Sequence, residues 1–250
     1  MPNRLLLLAA LLLAGVAPVM AQSAPASSPL AGFGFQTGEN GTTLSLPMQI
    51  ALGLTLLTVL PAVIMSITPF LRTIIVLHFL RQALGTQATP SNPILLGLAL
   101  FISLLVMKPV TSEIYANAWQ PLEAGQITAE QALDAGAKPL KGFMTKFVRE
   151  SDIKLFLEVT GSPEPATPED LSLSVLIPSY ILSELKAGFQ IGAVLYLPFV
   201  IIDLVVASVT LSIGMIQLPP VMLSAPFKIL LFVLVDGWNL VTRSLVTSFH

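Results

Sequence analysis

The sequence predicts an all-α fold, made of polytopic membrane-type helical hairpins with a helical polar insert between the second and third apolar segments. Apolar residues make up 54% of the 250 positions and charged residues only 10%, and the mean hydropathy is +0.83. Of the 26 charged residues, 14 lie between Glu123 and Asp170. Because a soluble fold of this length cannot cover so much apolar surface, we expect two membrane-embedded parts on either side of one water-exposed insert.

The composition also excludes several classes of function. The formal net charge is −2 and no basic run occurs, which argues against nucleic acid, since phosphate binding needs clustered Lys and Arg. The chain has no cysteine, so disulfides, thiolate metal sites and cysteine nucleophiles are excluded. No HExxH, GxSxG or glycine-rich phosphate loop is present. We therefore expect a protein that is not an enzyme and needs no metal or cofactor.

The N-terminus has the pattern of a secretory signal. Arg4 precedes an apolar run at 5–16, and small or apolar residues follow up to Ala21. We predict cleavage after Ala21, which makes residues 1–21 a cleavable signal peptide. The alternative is an uncleaved first helix, but twelve residues span only about 18 Å of a ~30 Å hydrocarbon core. Residues 22–45 show neither the two-residue alternation of a strand nor the 3.6-residue period of a helix. They are predicted to be a flexible exported leader.

Residues 46–115 are predicted to form the first helical hairpin. The stretch 46–68 carries no charge over 23 residues, which suffices for a membrane span, and Pro61 is a site for a kink. The second apolar segment, 94–107, has only 14 residues before Lys108, or about 21 Å of helix. This short segment indicates either a locally thinned bilayer or a helix sheltered by other protein.

Residues 116–180 are predicted to be the polar insert, on the periplasmic side of the membrane. A helical stretch is expected at 128–137, an amphipathic helix at 138–156, and a loop at 161–170, where three prolines occur. The five Lys and Arg of the insert oppose this side under the positive-inside tendency. We follow the exported N-terminus and place the insert in the periplasm, because the positive-inside tendency weakens for loops as long as this insert.

Residues 181–250 are predicted to form the second helical hairpin. The stretch 187–227 would reach about 61 Å as a single helix of 41 residues, twice the hydrocarbon thickness. It must therefore fold back on itself. Gly214, Pro219 and Pro220 are expected to supply the break.

Asp203 is the single charge within that stretch. An isolated carboxylate in apolar sequence costs on the order of 3 kcal/mol by insertion scales, so it must face protein or water. Lys228 is a candidate partner in a structural salt bridge, and a proton-transfer role for Asp203 is the alternative. Residues 228–250 are predicted to return as one apolar helix with Asp236 and Arg243 on one face.

Three smaller patterns each allow two interpretations. Gly188 and Gly192 form a GxxxG motif, which permits close helix packing either within the chain or between subunits. The stretch 214–220 is either a plain membrane turn or a constriction sealed by pliable side chains. His78 is either a packed or interfacial histidine or a proton relay, and no carboxylate neighbours it in sequence.

Several blocks of the sequence together resemble the P-subunit family of the flagellar type III export gate, FliP, which is related to the injectisome R-type export apparatus proteins. The resemblance covers the chain from about Leu46 to its C-terminus. The blocks are Leu71 to Leu77, Phe79 to Gln87, Pro178 to Tyr180, Glu184 to Gly192, Pro198 to Asp203, and Ala225 to Gly237 with Trp238. The signal peptide and the block 83–87 are more similar to the flagellar branch than to the injectisome branch.

The resemblance implies a place in the bacterial inner membrane at the flagellar basal body. It implies a homo-oligomer that assembles with Q and R export-gate subunits, contacts other flagellar export apparatus proteins and membrane lipid, and conducts unfolded exported proteins. It also implies that much of the assembly lies above the membrane plane.

The resemblance further implies roles for particular residues. The methionine gasket of the family falls on Met215, Ile216 and Gln217, of which only Met215 matches the family pattern. The residues implied as assembly or gating contacts are Glu184, Asp203, Lys228, Phe143 and Phe156. A small secondary transporter with Asp203 as its coupling carboxylate is the alternative function, although no convincing inverted repeat is present.

Overall fold

The computed structural model describes residues 35–38, 41–44, 46–86, 89–165, 167, 170–214 and 219–249. Apart from one short β-hairpin, the regular structure of these residues is helical, so the predicted all-α class is confirmed. The signal peptide with its cleavage after Ala21, and the turn residues Met215, Ile216 and Gln217, lie outside the described residues.

The elements follow one another in chain order. They are β1 (Phe35–Gly38), β2 (Gly41–Leu44), α1 (Leu46–Ser66), α2 (Phe70–Ala83), α3 (Asn92–Val106), α4 (Lys108–Ile114), a π-helical turn (Tyr115–Trp119), α5 (Gln120–Glu123), α6 (Ala129–Phe147), α7 (Glu150–Thr160), α8 (Leu173–Ser212), α9 (Pro220–Leu234) and α10 (Gly237–Thr247).

The chain forms two compact units, residues 1–58 and 59–250. In the first unit, β1 and β2 pair antiparallel, with Phe35 opposite Leu44 and Gly38 opposite Gly41. This hairpin lies within the predicted leader, where no strand was expected. Strands of four residues leave too short an alternation to be read from sequence.

Apolar helices long enough to cross a membrane are present, as predicted. Among the described residues, α1 and α8 meet this requirement alone, and the number rises to four if two bent pairs each count as one span. One pair is α3 with the helical segment Lys108–Glu123, bent by 58°, and the other is α9 with α10, bent by 65°. The short second apolar segment therefore ends at a bend after Val106 rather than in a straight helix.

The insert contains two helices where one amphipathic helix was predicted at 138–156, so that prediction was wrong. Helix α6 begins at a capping box between Thr128 and Gln131 and continues through Pro139 to Phe147. The chain then becomes extended at Val148 and Arg149, with ψ of 141° and 139°. A tertiary contact fixes this break, because the backbone N–H of Arg149 donates to the Ser183 hydroxyl on α8 at 3.0 Å.

The long helix α8 begins at Leu173, inside the stretch assigned to the insert from its sequence. The predicted fold-back after it is confirmed. Helix α8 ends at Ser212, Gly214 has a φ of +80°, and α9 begins with Pro220. A φ of this sign favours glycine because it has no Cβ, and proline suits a first helical turn because its missing N–H has no partner there.

The C-terminal part is also broken, and the predicted single helix at 228–250 was wrong. Helix α9 ends at Leu234 and α10 begins at Gly237. Asp236, between them, has a φ of +51°, and a Cβ on Gly237 would lie 2.1 Å from the Phe232 ring. Asp236 therefore precedes α10 at its N-cap position, where its side chain makes no capping hydrogen bond, and it does not share a helix face with Arg243.

Candidate assembly and gating site

A buried ion pair joins α2 to α8. The Arg72 guanidinium donates through Nε to Glu184 Oε2 at 2.9 Å and through Nη2 to Oε1 at 2.5 Å. Glu184 is fully buried and Arg72 nearly so. A fork of two parallel hydrogen bonds fixes both distance and orientation, so this pair sets how the two helices cross.

The C-terminal residues complete the surroundings of Arg72. Its Nη1 donates to the Ser248 carbonyl oxygen at 3.0 Å, and its guanidinium lies 3.9 Å from the centroid of the Phe249 ring. A cation over an aromatic face is attracted by the ring quadrupole. Glu184, predicted as an assembly or gating contact, therefore pairs with a residue of its own chain. Sequence reasoning missed Arg72 as the partner of Glu184, and the signal for it was a charge two residues inside the otherwise apolar start of α2.

The GxxxG motif of α8 packs against α2, the helix that carries Arg72. A Cβ at Gly188 would lie 3.1 Å from Ile75, and one at Gly192 would lie 2.6 Å from atoms of the Phe79 ring. Glu184, Gly188 and Gly192 recur every four residues and so lie on one face of α8. Of the two interpretations of the motif, the structure shows the contact within the chain.

The predicted ion pair between Asp203 and Lys228 is present and joins α8 to α9. Lys228 Nζ lies 2.6 Å from Asp203 Oδ2, and the Ser224 hydroxyl donates to Oδ1 of the same carboxylate. Lys228 and Ser224 are buried, whereas the Asp203 side chain remains 27% exposed. These contacts fix the position of α9 along α8, the two helices of the C-terminal hairpin.

Phe143 and Phe156 occupy different environments. Phe143 is buried among aromatic rings, with centroid distances of 5.1 Å to Phe147, 6.3 Å to Tyr180 and 6.4 Å to Phe249. Phe156 is half-buried at the edge of the same core. Phe143 thus stabilises the fold of a single chain, and part of it also lines a groove between α4 and α6.

A polar seam that the sequence reasoning missed fixes the insert on α8. Asp152 of α7 is buried and accepts hydrogen bonds from Lys186 Nζ at 2.5 Å and from the Ser183 hydroxyl at 2.8 Å. Arg149 Nη2 donates to Gln190 Oε1 at 2.6 Å. A signal existed, because four polar residues of the apolar helix α8 recur at spacings of four, three and four. They are Ser179, Ser183, Lys186 and Gln190.

The charges of this seam determine the ionisation of Asp152. Burial by itself raises the pKa of the Asp152 carboxyl, but the hydrogen bonds from Lys186 and Ser183 and the charges of Lys186 and Arg149 outweigh it. The net effect holds the pKa of Asp152 below its ordinary value. A carboxyl with a lowered folded pKa stabilises the fold above its unfolded pKa of about 3.9 and loses that stabilisation as the pH falls through the folded value.

Replacing Asp152 by Asn is expected to weaken the docking of α7 on α8 by about 1.5 kcal/mol, since hydrogen bonds to a charged group are lost and Lys186 is partly solvated. Thermal unfolding of the purified chain at pH 7 measures the loss. From pH 5 to below pH 4 the parent chain should lose more stability than the variant. Glu158→Gln, on the exposed side of α7, is the matched control and should leave the pH profile unchanged. Equal profiles for Asp152→Asn and the parent chain would contradict this role.

Within the described ranges from residue 46 to residue 249, no cluster of three or more His, Asp or Glu side chains has an arrangement that could hold a metal ion. His78 is exposed on α2, beside an indentation that also includes Phe79 and Phe189.

Comparison with known proteins identifies the family of this chain. The model of the FliP family matches residues 53–245. "Flagellar biosynthetic protein FliP" of Pectobacterium carotovorum is 47% identical over 85% of this chain and 82% of its own length. The protein of the same name from Bacillus subtilis is 45% identical over 82% of this chain and 93% of its length. The one from Treponema pallidum is 42% identical over 94% and 88%. The family model covers most of the chain and the relatives align over most of their length, so the chain belongs to the FliP family.

Proposed function

We propose that this chain is a non-enzymatic core subunit of the flagellar type III protein export gate in the bacterial inner membrane. Several copies assemble with Q and R subunits into a pore through which unfolded flagellar proteins are exported. The insert faces the periplasm. Membership of the FliP family and the name "Flagellar biosynthetic protein" carried by its relatives support the flagellar role. The apolar helices α1 and α8 support the membrane location.

The observation that best supports a pore is the structure of the hairpin formed by α8 and α9. Its outer surface is apolar and exposed, as at Leu211 (60%) and Met222 (73%), so lipid or other subunits must cover it. Its inner side is joined by the ion pair between Asp203 and Lys228. The pair fixes the register of the two arms, α8 and α9.

That connection contains Met215, Ile216 and Gln217. The proposal assigns these three residues, which lie outside the described residues, to the constriction of the pore. Methionine and isoleucine are apolar, and methionine adapts to irregular shapes, so they can close on one another and reopen around a passing polypeptide. Gln217 adds a polar amide to the sequence of this proposed constriction.

The transporter alternative is less well supported. Both oxygens of Asp203 accept hydrogen bonds, one from Lys228 and one from Ser224. A coupling carboxylate must exchange its proton or ion with an aqueous path during each cycle, whereas here a buried ammonium group holds the carboxylate. This arrangement favours a structural ion pair.

The test uses the full chain co-expressed with Q and R subunits. Native mass spectrometry in mild detergent should show a multimer larger than a dimer that contains both partners. Replacing Met215, Ile216 and Gln217 together by Gly should leave this multimer intact and make the cells several-fold more permeable to a small dye, because the seal is removed.

Met222→Ala is the matched control, since it removes an exposed methionine of α9 outside the connection, and it should not increase dye entry. A chain that stays monomeric or dimeric and ignores both partners would refute the export-gate function. If the triple glycine variant forms the multimer but does not increase dye entry, residues 215–217 do not form the constriction.

A further inference from the structure

An apolar groove of about 660 Å³ lies where α8 passes the bend between α9 and α10. Its wall on α8 runs from Gln190 to Phe199, and the opposite wall contains residues of α9 and α10 from both sides of the bend. Among the residues that line it, Gln190 and Ser244 are the two with polar side chains. The volume falls within the range of roughly 300–1,000 Å³ that is usual for sites of small ligands.

The groove has the depth of one leaflet of a bilayer. The rings of Phe199 and Phe232 contact each other at the end farther from the insert, with a centroid distance of 6.5 Å. From Gln190 to Phe199 the wall covers nine residues of α8, or about 14 Å of helix. Half of a hydrocarbon core of ~30 Å is about 15 Å. An acyl chain that enters beside Gln190 can therefore lie along the whole groove.

A cation stands at the open end of the groove. Arg149 of the insert donates through Nη2 to Gln190 Oε1 at 2.6 Å. Within the described part of the chain Arg149 makes no ion pair, because the nearby carboxylate of Asp152 is paired with Lys186. A guanidinium group has five N–H donors and matches the geometry of a phosphate, so Arg149 retains donors for an anion.

The rim of the groove is apolar and exposed. Val194 of α8 is 69% exposed and Leu240 of α10 is 56% exposed. Helix α8 is long and apolar enough to cross a membrane, and so is the bent pair of α9 and α10 taken together. An apolar helix of a partner would cover these side chains but would bring no anion to Arg149. A phospholipid supplies both the apolar chain and the anion.

We infer that the groove holds one phospholipid. Its acyl chain lies between α8 and the bend of α9 and α10, and its phosphate contacts Arg149. This inference rests on the membrane location in the proposed function but not on the pore.

Trp238 allows the site to be tested by fluorescence. It follows Gly237 of the groove and packs on Phe232, with a centroid distance of 5.4 Å. Because the chain has two tryptophans, Trp119→Phe leaves Trp238 alone, and a further Trp238→Phe gives the background. The full chain, purified in mild detergent with Q and R subunits, is titrated with phosphatidylglycerol whose acyl chains carry bromine, a short-range quencher. Quenching should saturate at one lipid per chain, whereas a decline without saturation would refute the site.

Filling the groove separates it from the general lipid-facing surface. Val194→Phe with Leu240→Phe should reduce the saturable quenching several-fold, because the added rings occupy the space of the acyl chain. Val233→Phe with Leu230→Phe is the matched control. These residues of α9 are 68% and 57% exposed and do not line the groove, so their replacement should leave the quenching unchanged. Equal quenching in the two variants would refute binding in the groove.

The phosphate contact is tested separately. Arg149→Gln should raise the lipid concentration for half-maximal quenching several-fold, while Lys154→Gln, an exposed cation of α7, should not change it. Thermal unfolding checks that the Arg149 variant keeps its fold, and the substitution retains the backbone N–H that donates to Ser183. Brominated diacylglycerol, which lacks the phosphate, should bind the parent chain several-fold more weakly. Quenching that ignores both the phosphate and Arg149 would show an apolar ligand and refute a phospholipid.

The outcomes also distinguish this inference from the proposed function. If the chain alone shows saturable quenching and the complex with Q and R subunits shows none, a partner subunit fills the groove in the gate. That result refutes the phospholipid and leaves the export gate standing. Saturable quenching in a chain that never incorporates those subunits supports the lipid site and refutes the gate.

Discussion

Replacement of Glu184 by Ala is expected to lower the free energy of unfolding by about 3–5 kcal/mol, because it leaves the Arg72 guanidinium buried without its counter-charge. The remaining contacts of Arg72 are neutral, since Ser248 supplies a carbonyl and a hydroxyl oxygen and Phe249 an aromatic face. Equilibrium unfolding of the purified chain in mixed detergent micelles measures the loss.

The matched control removes both charges. Arg72→Met combined with Glu184→Leu should recover much of the stability lost by Glu184→Ala, because the cost comes from the unpaired charge and not from the absent attraction. The stability of Arg72→Lys should fall between those of Glu184→Ala and the double variant, since an ammonium group cannot make the two parallel bonds of the guanidinium. A double variant as unstable as the single one would show that the pair is needed for shape rather than for charge balance.

Substitution of Gly192 by Ala is the second change with a large expected effect, a destabilisation of about 1–3 kcal/mol from overpacking. The new Cβ would lie 2.6 Å from two atoms of the Phe79 ring and 3.0 Å from the Phe79 Cβ, which a rotation of the side chain does not move. The same unfolding measurement detects it.

Gly97→Ala is the control for helix propensity. It lies in α3, where an added Cβ meets no atom within 4 Å, so it should stabilise the chain by up to about 1 kcal/mol. Phe79→Leu should partly rescue Gly192→Ala by making room for the methyl group. If Gly192→Ala behaves like Gly97→Ala, the close approach of α2 and α8 does not contribute to stability.

Much of the candidate site could be predicted because certain residues are conspicuous in their local sequence. Asp203 is a single charge in a long apolar stretch, so a partner was required, and Lys228 was the cation that the fold-back would bring near it. The two glycines of the GxxxG motif were identified by their spacing, whereas Glu184 was identified only through the resemblance to the family. Their partners on α2, Arg72, Ile75 and Phe79, were not, because a helix crossing is not encoded in spacing along either helix alone.

The sequence by itself determined the helical class, the apolar segments and the break after Gly214, since each depends on properties of neighbouring residues: hydropathy, the flexibility of glycine and the missing N–H of proline. The tertiary structure decided where α6 ends, where α9 turns into α10, and that Phe143 faces the core of its own chain. Those features depend on contacts between residues far apart in sequence, such as Arg149 with Ser183 and Phe143 with Phe249. Only the folded chain brings such residues together, because a hydrogen bond or an aromatic contact needs both partners in place.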